Sequence, residues 1–470
     1  MYSVLKNITA AVSGLLLPAV LFVSGAYFLF RIGAYVFSPR FLKASLVSGD
    51  KKEKAVKNEF VPITERESSK NSTRSPFSSL CLALAGTLGV GNISGVTAAV
   101  IIGGPGTVFW IWVCAIVSAV LKYAETVLAV HFQQRDPNGK PYGGAHLYIK
   151  NGLRSPKLSA VFCILCVLTS FTMGSITQTK AASDAVFVAS GMPPAVCGGV
   201  FLIIVLYLSL GGGERISRLT LRLIPPLCLG YVCLSLGAIF VFRENILPVT
   251  KAIISEAFTA RAGALGFLGF LSSPAMRYGV TRGIMSNEAG CGTAPIAYAR
   301  SETGIPTRQG VCGIIEVLCD TLVLCTLTAY VVLLSETALI GSATEVAISS
   351  FVCAFGKWVR PMLGISIFLF ALGSVAGWSF YGQASASALG CGSKMLKLYG
   401  VLFAVSAFLG CIIPENAVWE LADLSISLMA IINVSAVLLL SPTVVRITRE
   451  FYDFKRPPKR KEVPKTKLIS

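Results

Sequence analysis

Charged residues are scarce in this chain, and histidine is almost absent. Only 14% of the 470 residues are charged, well below the share of about 25% that is usual in soluble domains, whereas 54% are hydrophobic. The mean hydropathy is +0.71. A soluble fold could not bury this much apolar surface, so we expect lipid to surround the protein. The two histidines, His131 and His146, cannot form an HExxH zinc motif, which excludes that type of metal catalysis.

Eleven apolar segments are long enough to be considered as membrane-spanning helices, which need about 20 residues each. The first is too long for a signal-peptide core and lacks a clear cleavage site, so it is predicted to be a retained helix. The sequence therefore predicts an all-α polytopic membrane protein. The approximate segments are 8–37, 77–103, 105–131, 158–189, 193–210, 221–242, 263–291, 309–334, 359–388, 396–413 and 416–441.

Nearly all of the 14 cysteines fall inside these apolar segments, which favours small packing residues over disulfides. Cys163 and Cys166 form a CxxC pair in the middle of a predicted helix. Because no second pair accompanies them, they are a weak signal for a metal or redox site.

The chain has a net charge of +18, and its basic residues are concentrated in particular connections between the apolar segments. Thirty of the 41 Lys and Arg residues lie in six connections that alternate along the chain, and the turns between them hold few. This positive-inside pattern predicts an external N-terminus and a cytoplasmic C-terminus. The basic tail Lys455–Lys461 is therefore predicted to lie near anionic lipid head groups, and nucleic-acid binding is not expected.

The polar and apolar stretches divide the chain into five parts. A leading helix (1–37) precedes a polar, flexible cytoplasmic linker (38–76). Two five-helix repeats follow, 77–242 and 243–441, the second including the external connection 243–262. An odd number of helices in a repeat inverts the next one. Residues 442–470 form a basic cytoplasmic tail.

The first helix of each repeat contains a glycine-rich interruption: Gly86-Thr-Leu-Gly-Val-Gly-Asn-Ile-Ser-Gly95 and Ser286-Asn-Glu-Ala-Gly-Cys-Gly-Thr-Ala-Pro295. Paired breaks at corresponding positions point to a solute site near mid-membrane. Unwinding would expose amides to an anion and free carbonyls for a cation. The alternative for the first break is a GxxxG-like packing face at Gly91–Gly95. A phosphate-binding loop is excluded because no strand precedes it.

The second break places Asn287 and Glu288 within an apolar stretch, with Arg282 one turn earlier. Polar groups at membrane depth need partners and are candidates for function. The alternative is a cytoplasmic helix end with ordinary solvated charges.

Several motifs together resemble the alanine/glycine:cation symporter family. The similarity runs in order from about residue 77 to 442, through Gly89-Val-Gly-Asn-Ile-Ser-Gly-Val96, Gly103-Gly-Pro-Gly106, Lys122-Tyr-Ala-Glu125, Arg282-Gly-Ile-Met-Ser-Asn-Glu-Ala-Gly290, Gly292-Thr-Ala-Pro-Ile-Ala297 and Glu316-Val-Leu-Cys-Asp-Thr321. The resemblance implies a leucine-transporter type of fold with a leading helix and five-plus-five inverted repeats. It also implies Na+-driven uptake of alanine, glycine or D-alanine.

The resemblance also implies substrate-binding roles. The unwound first break would offer amides to the substrate carboxylate and carbonyls toward a cation, and the second break would do the same from the other half. A glutamine in the third core helix would hold the substrate ammonium or carboxylate, or would only form an interhelical hydrogen bond. A tryptophan would close a small pocket, or would merely pack. These residues are Gly89, Gly91, Asn92, Gln178, Asn287, Gly290 and Trp378.

For sodium, the resemblance implies the Ser374 hydroxyl together with the backbone carbonyls of Ala85, Leu88 and Phe370. Two positions depart from the family pattern: Gly373 stands where Ser or Thr is expected, and Val90 where Thr is common. Both changes remove hydroxyl oxygens near the implied ions. Coupling to H+ instead of Na+ therefore stays open.

Five acidic residues in or near predicted helices could relay protons, form structural pairs with Lys122, Arg282 or helix ends, or be solvated: Glu125, Glu316, Asp320, Glu420 and Asp423. Lys180 and Asp184 lie four residues apart on one helix and are expected to neutralise each other.

The sequence predicts a secondary symporter for a small neutral amino acid in a bacterial inner membrane, and no enzyme or cofactor other than the coupling ion. A membrane-embedded transferase would need a reactive His, Ser or Asp constellation that the sequence does not offer. A passive channel is a third alternative. The substrate, its handedness, the stoichiometry and the oligomeric state stay open.

Overall fold

A computed structural model describes residues 9, 11–47, 76–258, 273–301, 305–337, 339–413 and 415–454. Helices dominate these residues. The one sheet among them is a two-stranded antiparallel hairpin, β1 (Gln134–Arg135) and β2 (Pro141–Tyr142), with Gln134 opposite Tyr142. It lies in the polar connection after the first long helix of the core.

The first half of the described chain contains eight helices, and a short break separates the third from the fourth. They are α1 (Val12–Val36), α2 (Pro39–Val47), α3 (Pro76–Thr87), α4 (Ser94–Gly103), α5 (Gly106–His131), α6 (Pro156–Ser190), α7 (Pro194–Leu210) and α8 (Gly212–Val241). The helix α6 contains a π-helical turn at Thr172–Ile176. Short helical turns at Ala145–Leu147 and Tyr148–Gly152 follow the hairpin.

The second half repeats the pattern of a broken helix followed by long ones. Its helices are α9 (Ile246–Glu256), α10 (Pro274–Asn287), α11 (Ala294–Tyr298), α12 (Pro306–Leu334), α13 (Ala343–Phe355), α14 (Val359–Ala388), α15 (Ser393–Ile412), α16 (Glu415–Leu439) and α17 (Ser441–Phe454). The helix α12 contains a π-helical stretch at Leu318–Cys325.

Eight helices of the described residues are long and apolar enough to cross a membrane, and a ninth span results if the bent pair Ser79–Thr87 and Val90–Gly103 counts as one. This confirms a polytopic helical membrane protein, whereas the number eleven stays a prediction. Residues 259–272, which include the start of the predicted segment 263–291, lie outside the described residues.

Several predicted connections contain helices instead. The helix α8 begins at Gly212, so Arg215, Arg218 and Arg222 are helical and do not form a loop. The helix α2 occupies the start of the predicted linker, and α17 occupies the start of the predicted tail. Apolar run length could not reveal these helices, because α17 has one buried face and one charged face and so contains no long apolar run.

The helices α5 and α14 form the buried centre of the bundle, and α8 is the most exposed of the spans. The helix α10 packs on α4 and α5, while α14 packs on α6, α3 and α8. The two interrupted helices are therefore enclosed by the rest of the bundle.

Candidate functional site

The first interruption lies between α3 and α4, which are bent by 56° relative to each other. After Thr87 the backbone extends at Gly89 and makes one 3₁₀ turn, Val90–Asn92, before α4 begins at Ser94. The amide of Val90, freed by this unwinding, donates to the Gln178 Oε1 atom at 3.0 Å. The interhelical hydrogen bond that was one alternative for Gln178 is therefore present.

Gly89 lies where two neighbouring helices meet the break. A Cβ atom at this position would collide with Gln178 Oε1 and lie 2.9 Å from Ser374 Oγ. The Ser374 hydroxyl donates to the Gly86 carbonyl at 2.9 Å. Gly89, Gln178 and Ser374 therefore come together, and the carbonyl that accepts from Ser374 is that of Gly86 and not that of Ala85 or Leu88.

The closest helix packing at this break involves a different glycine pair from the one predicted. A Cβ atom on Gly377 of α14 would lie 2.9 Å from the Gly86 Cα atom, whereas one on Gly95 would meet nothing within 4 Å. At Gly91 the nearest atoms would be Met285 O and Ser286 Cα, both at 3.7 Å. The Gly91–Gly95 packing face is thus wrong, and Gly91 instead faces the end of α10.

The second interruption follows Asn287, the last residue of α10. Glu288 caps this helix in the left-handed conformation (φ 51°), and Gly290 and Gly292 also have positive φ values of 82° and 76°. The residues from Ser286 to Ala294 are all buried. A solvated helix end, the alternative reading of this segment, is therefore excluded.

A polar cluster joins the two interruptions around Asp320 of α12. The Asn92 Nδ2 atom donates to Asp320 Oδ1 at 2.6 Å, and the hydroxyls of Ser286 and Thr321 donate to Oδ2 at 2.6 and 2.9 Å. Ser286 Oγ also lies 3.2 Å from Asn92 Oδ1. One carboxylate thus bridges the first break, the end of α10 and the π-helical part of α12, where π-helical turns frequently mark function.

Asp320 is fully buried, and in the part of the chain that the structure describes it forms no ion pair with Lys or Arg. Sequence reasoning considered it as a proton relay, a member of a structural pair or a solvated residue. The available signal was its spacing: with Glu316, it places two acids on one helix face one turn apart. The sequence could not show that only Glu316 receives a cationic partner.

That cationic partner is Lys122 of α5, which is completely buried. Its Nζ atom donates to the Asn287 carbonyl at 2.8 Å and lies 3.3 Å from Glu316 Oε1. The Tyr298 hydroxyl donates to the other Glu316 oxygen at 2.8 Å. The predicted pairing of Glu316 with Lys122 is therefore observed, and it holds the end of α10 against α5 and α12.

Glu125, one turn along α5, stabilises the far side of the second break. Its Oε2 atom accepts from the Gly292 amide at 3.2 Å and from Asn433 Nδ2 at 2.9 Å. The same Asn433 amide donates to the Gly290 carbonyl at 2.8 Å, and the Tyr148 hydroxyl donates to Asn433 Oδ1. Asn433 of α16 thus connects the unwound segment to Glu125 through hydrogen bonds. Sequence reasoning did not predict this role.

Trp378 of α14 is fully buried beside the π-helical turn of α6. A Cβ atom on Gly174 would collide with its ring, and its ring lies 5.8 Å from that of Tyr381 in an edge-to-face arrangement. Among the described residues, neither the Trp378 indole N–H nor the Asn287 Nδ2 group has a hydrogen-bond partner, whereas the Asn287 Oδ1 atom accepts from the Ala289 amide at 2.9 Å. Buried donors without partners are rare and indicate a place for a ligand.

The remaining predicted residues are buried near these elements. Ala85 and Leu88 belong to the first break, and Phe370 contacts Tyr231 edge-to-face at 5.9 Å from one turn before Ser374. Other predicted pairs are present: Arg282 lies 3.3 Å from Asp423, and Lys180 lies 2.6 Å from Asp184. The side chain of Glu420 lies outside the described residues.

Two helix breaks that meet inside a bundle of membrane-spanning helices define a membrane transporter of the leucine-transporter type. The fold is similar to that of MhsT, crystallised in complex with L-phenylalanine, with a TM-score of 0.54 and 12% identity over 82% of this chain and 100% of that one. The sequence model of the sodium:alanine symporter family matches residues 1–467, and the chain belongs to this family.

Two relatives in this family are named for different amino acids. The chain is 35% identical to the sodium/alanine symporter AgcS of Methanococcus maripaludis, over 81% of this chain and 85% of that protein. It is 34% identical to the probable sodium/glutamine symporter GlnT of Bacillus subtilis, over 82% and 79%. The protein is therefore a multi-pass membrane transporter of small amino acids and not an enzyme.

Proposed function

We propose that the protein imports a small neutral amino acid, namely alanine, D-alanine or glycine, together with Na+ by alternating access. The observation that carries this proposal is the buried Asp320 carboxylate between the two helix breaks. A buried charge without an ionic partner is costly, and a bound cation would remove that cost. The Ser286 hydroxyl, which contacts both Asp320 Oδ2 and Asn92 Oδ1, supplies a further oxygen beside this carboxylate.

We favour Na+ over H+ alone because the hydroxyl oxygens of Ser286 and Thr321 lie beside the Asp320 carboxylate and could bind a cation together with it. In transporters of this architecture, unwound carbonyls also contribute to cation sites. The Ser374 hydroxyl and the carbonyls of Ala85, Leu88 and Phe370 are a candidate for a second ion. Because position 373 is glycine, that second set lacks one hydroxyl, so we assign the main coupling role to the Asp320 cluster.

The substrate would bind between the breaks, where the chain offers donors. The Asn287 Nδ2 group and the Trp378 indole N–H are buried and have no hydrogen-bond partner among the described residues, and either could donate to a carboxylate. Amides at the start of α4 add the positive end of a helix dipole. The large, fully buried Trp378 ring would limit the size of the substrate side chain, as the resemblance implies.

Transport into proteoliposomes tests these assignments. We expect purified protein to accumulate radiolabelled alanine under an inward Na+ gradient, with unlabelled L-alanine, D-alanine, glycine, serine and glutamine as competitors. Accumulation driven by a pH gradient in the absence of Na+ would overturn Na+ coupling. Stronger competition by glutamine than by alanine would overturn the substrate, since one relative is named for glutamine.

We further propose that the protein lies in the plasma (inner) membrane with its N-terminus outside and its C-terminus in the cytoplasm. The alternation of Lys and Arg along the connections supports this orientation. Reporter fusions at the C-terminus test it: a cytoplasmic reporter should be active there, and activity of a periplasmic reporter instead would contradict it.

A further inference from the structure

A groove of about 360 Å³ lies between the end of α1 and the amphipathic helix α17. One face of α17 lines it at helical spacing, with Arg446, Arg449, Glu450 and Asp453, and α1 contributes Arg31. The opposite face of α17 is buried against the bundle, where Thr448 shares a hydrogen bond of 3.0 Å with the Tyr123 hydroxyl. The charged face is therefore presented outward by a helix that is firmly attached.

Three guanidinium groups converge on this groove without carboxylate partners. Arg31, Arg446 and Arg449 are exposed, and within the described ranges none of them forms an ion pair. Arg31 lies over the Tyr27 ring at 6.0 Å and Arg449 over the Tyr35 ring at 5.8 Å, which orients two of them from the α1 surface. Three arginines against two acids leave an excess of positive charge.

Two large exposed apolar side chains lie close in sequence to the residues that line the groove. Phe30, next to Arg31, is 90% exposed, and Leu439, two residues before α17, is 69% exposed. The start of α17 is held to α1 by a 3.1 Å hydrogen bond between Ser441 Oγ and the Tyr27 hydroxyl. The arginines therefore lie where lipid-facing apolar surface gives way to charged surface.

We propose that this groove binds the phosphate group of an anionic phospholipid, with the acyl chains lying along Phe30 and Leu439. Guanidinium groups bind phosphate through paired, charge-assisted hydrogen bonds. The sequence that follows α17, Lys455–Lys461, is itself basic and adds to the positive charge of this part of the chain. A free phosphate ion shares the charge but gains nothing from the apolar surface.

Native mass spectrometry of the purified full-length protein tests this proposal. Bound dioleoyl-phosphatidylglycerol is counted during a titration, with dioleoyl-phosphatidylcholine and inorganic phosphate as separate arms. We expect each of Arg31→Gln, Arg446→Gln and Arg449→Gln to weaken phosphatidylglycerol binding about fivefold, from the attraction of about 1 kcal/mol per basic residue. Arg446→Lys, which keeps the charge but loses the paired hydrogen bonds, should weaken binding less than Arg446→Gln does.

The matched control is Arg218→Gln, which removes an exposed arginine from α8, outside the groove. It should leave lipid binding unchanged, and all variants should melt at the wild-type temperature. An equal loss of binding in Arg218→Gln would overturn the proposal in favour of diffuse surface charge. Equal binding of phosphatidylcholine, or displacement of the lipid by millimolar phosphate, would overturn the assignment to an anionic phospholipid. None of these readouts depends on transport.

Discussion

The substitution Asp320→Asn removes one buried negative charge and keeps the shape of the side chain. Two unit charges 4 Å apart attract by about 4 kcal/mol at an effective dielectric constant of 20, which corresponds to about a thousandfold in affinity. Desolvation offsets part of this attraction. We therefore expect the half-saturating Na+ concentration for alanine uptake to rise at least tenfold, and at most about a thousandfold.

A second consequence concerns stability. Because Asp320 has no ionic partner among the described residues, neutralising it removes a buried charge that costs free energy without Na+. The melting temperature of the Na+-free Asp320→Asn protein should therefore equal or exceed that of the wild type, and Na+ should no longer raise it. Both quantities are measured on purified protein, by uptake into proteoliposomes and by thermal unfolding in detergent.

The matched control is Glu316→Gln, one turn earlier on α12. Glu316 is paired with Lys122, so its neutralisation removes the carboxylate that forms an ion pair with this buried ammonium group and should lower stability by up to about 3–5 kcal/mol. The Na+ dependence of uptake should stay as in the wild type. A wild-type Na+ dependence in Asp320→Asn, or an equal shift in both variants, would refute the assignment of the cation to Asp320.

Three further substitutions test the surroundings of the site. Lys122→Met should lower the free energy of unfolding by about 3–5 kcal/mol, because Glu316 loses its partner. The double variant Lys122→Met with Glu316→Gln should regain much of this stability. Thermal unfolding measures both variants, and a wild-type melting temperature for the single variant would contradict the pairing. Gly89→Ala should abolish alanine uptake, because the added methyl group collides with Gln178 and Ser374. The control Gly199→Ala, whose methyl group would meet no atom within 4 Å, should transport normally. Equal uptake by the two variants would argue against a close approach of Gln178 and Ser374 to Gly89. Trp378→Phe should enlarge the pocket, so that glutamine competes more strongly with labelled alanine than it does in the wild type; an unchanged ranking of competitors would show that Trp378 does not limit substrate size.

Sequence reasoning recovered the membrane class, the positions of most spans and both helix breaks, because these depend on local properties. A long apolar run is stable only in lipid, and a cluster of glycines weakens a helix wherever it occurs. The helices α13 and α17 escaped it because they are short or amphipathic. Their stability comes from packing against the bundle, as with Thr448 on Tyr123, and run length does not report such contacts.

For individual polar residues, the sequence indicates which ones need a partner, but not which partner they have. Asn92 and Asn287 stand out in the sequence because an amide in an apolar segment needs a partner. The contacts of these residues involve positions more than 100 residues away: Asp320 accepts from the Asn92 side chain, and Lys122 donates to the backbone carbonyl of Asn287. Glu316 and Asp320 look equivalent along the chain, yet one is neutralised by lysine and the other is not.

The sequence by itself thus determined that this is a helical membrane transporter with two unwound segments, since composition and helix propensity act within a few turns. Only the tertiary structure decided that Glu316 has a lysine as counter-charge while Asp320 does not, and that Gln178 and Ser374 form hydrogen bonds with the first break. It also decided that three arginines share one groove. Each of these depends on distances between separate helices, because electrostatic and hydrogen-bond energies are set by positions in space and not by order along the chain.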